Sequence, residues 1–117
     1  MYVTKTEKNG YEIAIVRYSQ CKTKEDMLEA LEEIVQYIKQ SQGKVRFLDD
    51  FEGAFGSRDY MAKAKEYGEF IEGHTDKSAI IGIHGVKKVL LKAYNVVTNS
   101  KIKPFDTEEE ALEYLGK

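Results

Sequence analysis

Apolar and polar residues alternate along "YVTKT" and "YEIAIVRY", and "EKNG" separates the two runs. Alternation at period two marks half-buried strands, and Asn9-Gly10 is a tight hairpin signal. Strands are therefore expected at about residues 2–6 and 11–18. The period then changes. Met27, Leu28, Leu31, Ile34, Val35 and Ile38 form one stripe at helical spacing, with Thr23 as N-cap, Glu25 and Asp26 in the first turn and Gly43 as the stop. "KVRFL" predicts a short strand that stops at Asp49-Asp50, and "DFEGAFG" reads as a loop. Ser57 caps a second helix that buries Tyr60, Met61, Ala64, Tyr67 and Ile71 and breaks near Gly73.

"SAIIGI" is apolar and small throughout, the pattern of a strand covered on both faces. A third helix from about Val86 is expected to turn Val89, Leu90, Ala93, Tyr94 and Val97 inward. "KIKPF" makes a last short strand. Asp106 or Thr107 then caps a final helix, Thr107 and Glu110 having capping-box spacing, and Ala111, Leu112 and Leu115 dock it. The order β-β-α-β-α-β-α-β-α predicts an α/β fold: an initial hairpin, then a mixed, mostly parallel sheet flanked by four helices. At 117 residues, with no linker or repeat, the chain is expected to form a single domain spanning 1–117.

Composition narrows the function classes. The formal charge is −2, with lysines and glutamates interspersed, so the electrostatic term behind most nucleic-acid affinity is missing. One cysteine, Cys21, rules out an internal disulfide and suits a reducing compartment. His74, His84 and Cys21 lack the spacing of a zinc site, and no metal or cofactor is implied. The polar start "MYVTKTEKNG" and the lack of a long apolar run point to a cytoplasmic chain with no membrane span.

Three motifs invite sharper readings. "AIIGIHGVKKVLL" contains the G-x-x-G of K-homology RNA clamps, which sits between two helices. Here the run before Gly82 is too short after Gly73 for a helix and is rich in β-branched residues. Ile83 and His84, rather than a basic residue, fill the loop. Gly82 and Gly85 are better explained as a sharp turn from strand into helix, with Lys87 and Lys88 in its first turn. Free N–H groups there, with the lysines, suit an anion; the plainer reading is a tight turn with solvated lysines. "RFLDD" and "KIKPF" resemble parts of receiver domains. Magnesium chemistry needs another acidic pair after the first strand, where this chain has "VRYSQC". Asp49, Asp50 and Glu52 thus read as a solvated acidic loop. Ser57 reads first as an N-cap.

The element order, the loop between an acidic strand end and Ser57, and above all "SAIIGIHGVKKVLLKAYNVVTNSKIKPFDTEEEALEYL" resemble the STAS group, closest to its SpoIIAA-like (STAS/SEC14-like) branch. The likeness is strongest over residues 78–115. It implies a non-enzymatic regulatory module that binds a partner protein in bacterial signalling. In phosphorylated members an Asp-Ser-Ser-Gly stretch opens the helix. This chain has "FGSRDY", so the phosphosite candidate, Ser57, is followed by Arg58 and Asp59 and departs from that motif. The alternative is a binder of a small anionic nucleotide or lipid headgroup. Ligands enter open α/β sheets at the carboxyl ends of the strands, which selects Asp50, Phe51, Phe55, Ser57, Gly82, His84, Gly85, Lys87 and Lys88 as candidates. Phe51 and Phe55 read first as lids over the core. Ser57 and His84 lack a third catalytic partner, so no enzyme is expected.

Overall fold

The computed structural model describes residues 1–54 and 56–117. Strands β1 (Val3–Lys8) and β2 (Tyr11–Arg17) form the hairpin, and a 3-10 turn over Tyr18–Gln20 leads to α1 (Lys24–Gln40). There follow β3 (Val45–Asp50), α2 (Arg58–Gly73), β4 (Thr75–Ile81), α3 (Val86–Thr98), β5 (Lys103–Pro104) and α4 (Glu108–Leu115). The strands lie side by side in chain order, β1 antiparallel to β2 and the remaining pairs parallel.

Local chemistry explains most boundaries. Asn9 and Gly10 both take positive φ, 53° and 85°, as a two-residue hairpin turn requires. Thr23 and Asp26 form a reciprocal capping box on α1, and Thr107 accepts the Glu110 amide at the start of α4. Because the strand order is sequential, right-handed crossovers put α1, α2 and α3 on one face of the sheet. That face presents Ala14, Val16, Val45, Phe47 and Ile80 to the helices. The other face presents Ile13, Ile15, Leu48, Ala79 and Ile81 to Ala111 and Leu115 of α4. Two arginines pin α4 at its ends. Arg17 binds Glu108 through two hydrogen bonds, of 2.6 and 3.2 Å, and buried Arg46 donates to the Leu115 carbonyl at 2.6 Å.

Three expectations need correction. Asp49 and Asp50 are not a solvated loop. They close β3, paired with Ile80 and Ile81 of β4, and Asp50 is buried. The first helix ends at Gln40, before Gly43. The third is larger: α3 is rotated about its axis. Leu91 and Thr98 are buried and Tyr94 partly so, whereas Val89, Leu90, Ala93 and Val97 are exposed.

Polar contacts set that rotation. The Tyr94 hydroxyl donates to the Ala64 carbonyl at 3.1 Å, and Asn95 brackets both backbone groups of Ile102. The Thr98 methyl lies so near Gly68 that a Cβ there would come within 2.6 Å of it. The helix docks on α2 through a glycine and a threonine, and its apolar stripe faces out.

The turn after β4 brings two stretches of backbone close together. Gly82 has φ +84°, and a Cβ on it would lie 2.3 Å from the Glu52 amide nitrogen. Gly85 also has positive φ, +58°, but open space where its Cβ would be. Gly82→Ala is therefore expected to cost about 3 kcal/mol or more, through backbone collision added to strain. Gly85→Ala should cost only about 1–2 kcal/mol, from φ alone. Urea unfolding of the two variants checks the order; equal costs would contradict it.

Candidate functional site

The carboxyl ends of β3 and β4 bring together Phe51, Gly82, His84, Gly85 and Lys87. The Phe51 amide donates to the Ile81 carbonyl at 2.9 Å, carrying the chain leaving β3 across the end of β4. Phe51 is buried, its ring 5.2 Å from that of Tyr18 and 6.1 Å from that of Tyr60. Lys87 does not point to solvent. Its ammonium donates to the Ala54 carbonyl at 2.8 Å and lies 5.6 Å from the centre of the Phe51 ring. His84 Nε2 stands 3.7 Å from the Glu52 carboxylate on the outside. The loop and the turn are thus fastened together, and Lys88 alone of the two lysines is exposed.

The remaining candidates lie apart from this contact. Asp50 turns to the α4 face, where it accepts from Ser19 at 2.6 Å and Arg17 at 3.1 Å. Ser57 caps α2, accepting the Tyr60 amide at 3.2 Å, the role first read for it. Phe55 lies outside the described residues. β4, a strand, runs into Gly82, so the helix that a K-homology clamp requires is replaced by sheet.

A second feature was missed by sequence reasoning. Between α2, α3 and the sheet lies a cavity of about 130 Å³, with Phe47, Phe51, Tyr60, Ala64, Ile80 and Leu91 among its walls. Asp49 also lines it. The residue is half-buried. Loss of hydration there pushes its pKa up to about 7. Burial, with the Asp49 charge as a smaller contributor, also raises the nearby hydroxyls of Tyr18, Tyr60 and Tyr94. The signal was available in the alternation of β3. Val45 and Phe47 face the helices, so Asp49 must as well.

With this geometry in view, the comparisons with known proteins are informative. The structure shares its fold with an anti-sigma-factor antagonist (STAS) domain protein from Planctomyces limnophilus. The TM-score is 0.58 at 15% identity, covering 97% of this chain and 96% of the other. Residues 13–116 match the SpoIIAA-like family, and the chain belongs to it. No curated protein matches the sequence. Among the described residues, no helix is long and apolar enough to cross a membrane.

The desolvated Asp49 carboxyl makes stability depend on pH. Folded Asp49 keeps its proton to about pH 7, whereas an unfolded aspartate releases it near its ordinary value of 3.8. Its contribution is therefore full below about pH 4 and is lost as pH rises through 7. Asp49→Asn removes this dependence. The urea stability of the variant relative to the parent should improve by on the order of 2 kcal/mol between pH 4 and pH 8. A difference that does not change with pH would contradict the assignment.

Proposed function

We propose that residues 1–117 act as one non-enzymatic regulatory domain that docks a partner protein through the outer face of α3. One observation supports this above others. Val86, Val89, Leu90, Ala93, Val96 and Val97 fall on one helical stripe and all are exposed, Val96 by 82% and Val89 by 65%. A soluble surface rarely leaves such a contiguous apolar stripe uncovered unless something binds it. Exposed Lys88 and Lys92 flank the stripe, and α3 contains no carboxylate. The surface it fits is an apolar ridge or groove with an acidic rim.

The fold, shared with an anti-sigma-factor antagonist domain protein, is in keeping with a role exercised through binding. The loop-and-turn contact is closed and its Lys87 is engaged within the chain, which favours this reading over capture of a small anion there. Ser57 and His84 have separate partners, Tyr60 and Glu52, and no catalytic relay links them. A reducing, cytoplasmic setting agrees with the lone Cys21.

The photo-crosslinker p-benzoylphenylalanine tests the surface directly. Placed at Val97 in cells, it should yield one discrete protein adduct that disappears when Lys88 and Lys92 are both changed to Glu. Placed at exposed Gln36 on α1, it should yield none. Equal adducts from both positions would defeat the proposal. So would flotation of the chain with phosphatidylglycerol vesicles in a manner lost on Val89→Asp, which would assign the stripe to a membrane surface.

A further inference from the structure

The cavity beneath α3 carries an inference beyond partner docking. We infer that it is a binding site for a small apolar molecule bearing a single hydrogen-bond donor, a primary amine or an alcohol, which the Asp49 carboxyl receives.

Size is the first argument. The volume, about 130 Å³, is close to that of apolar protein cavities of about 150 Å³ that admit benzene. A six-membered ring or a short alkyl chain fits, and a dinucleotide or a full acyl chain does not. Two exposed residues among its walls, Gly56 in the loop before α2 and Leu90 on α3, place the mouth at the surface. The walls between them are chiefly aromatic and aliphatic, the composition of small-molecule pockets.

Chemistry is the second argument. Asp49 makes no hydrogen bond or ion pair with any described residue, although it ends a strand whose neighbour Asp50 holds three donors. Leaving a carboxyl unmatched against apolar walls is costly, and a well-placed donor removes that cost. The surrounding tyrosines are engaged elsewhere. Tyr94 donates to Ala64, and Tyr18 and Tyr60 pack edge to face against each other, ring centres 5.4 Å apart. Among the described residues no lysine or arginine is paired with the carboxyl, and Lys87, the one cation in the cavity wall, is held by the Ala54 carbonyl. Glu72, near Ser100 at the far wall, adds a second acidic group and further disfavours an anion.

The geometry also separates the site from the anion reading of the glycine turn. Ile83 and Lys87 of that turn reach the cavity wall, but the Lys87 ammonium is held by the Ala54 carbonyl; the Asp49 carboxyl receives a donor, not an anion. Anything seated inside touches the inner side of the helix whose outer side presents the valine stripe.

Titration of the whole ¹⁵N-labelled chain, followed by amide shifts, tests the inference with four probes of one size. Benzylamine and benzyl alcohol should saturate with dissociation constants in the millimolar range, moving amides in β3, α2 and α3. Toluene should bind more weakly, and benzoate at least tenfold more weakly than benzylamine. Asp49→Asn, nearly the same shape, should erase the preference for benzylamine over toluene while toluene still binds. Ala64→Leu, or Ser78→Val should that variant fold poorly, should weaken every probe by filling the wall. Failure of all four probes to saturate would overturn the inference. So would benzoate binding as well as benzylamine, or an order of affinities unchanged in Asp49→Asn.

Discussion

The contact on which the rest depends is between two stretches of bare backbone. Gly82 lies flat against the Phe51–Glu52 peptide, and the Phe51 amide is tied to the Ile81 carbonyl at 2.9 Å. Any side chain at 82 would strike the Glu52 amide, so the approach requires glycine at a φ that glycine alone adopts cheaply. Once the chain leaving β3 is held over β4, Phe51 has one place to go, into the aromatic cluster of Tyr18 and Tyr60. The Ala54 carbonyl is then presented to Lys87, which fixes the first turn of α3. From there α3 runs against α2 through the Gly68–Thr98 contact instead of settling on the sheet. The cavity and the outward stripe both follow from that path.

Strand parity divides the acidic strand end into two unlike groups. Asp50 faces α4 and is satisfied by Arg17, Ser19 and the Glu52 amide, part of the network that anchors the α4 N-terminus. Asp49 faces the opposite way, into an apolar enclosure, where its proton is held to about pH 7. Adjacent residues of one type end in two settings: one fastens the scaffold, the other lines a largely apolar cavity. The SpoIIAA-like family membership accounts for the scaffold, and this division is a property of the particular residues.

Much of the scaffold was legible because its signals are local. Asn9-Gly10 takes the positive φ of its own turn, and Thr23 with Asp26, Ser57 and Thr107 each satisfy backbone groups within a few residues, so their roles can be read without knowing what packs above them. The strand leading into Gly82 was legible from its length and β-branched content. The orientation of α3 was not. Periodicity reveals that Val86, Val89, Leu90 and Val97 share a face, but not whether that face meets the core, and here Tyr94, Asn95 and Thr98 decide it through distant partners. The engagement of Lys87 likewise depends on a carbonyl 33 residues away. Asp49 lay between these extremes, readable from its phase with Val45 and Phe47, yet masked by the common solvation of paired aspartates.

Native-state hydrogen exchange at the Phe51 amide tests the central contact most directly. If this amide is locked to Ile81 beneath the Gly82 backbone, it should exchange only through global unfolding, at the rate of core β4 amides such as Ile80. Exchange as fast as that of the neighbouring Gly53 amide would mean the loop is not fastened to the turn, and the account of α3, its cavity and its outer face would lose its foundation.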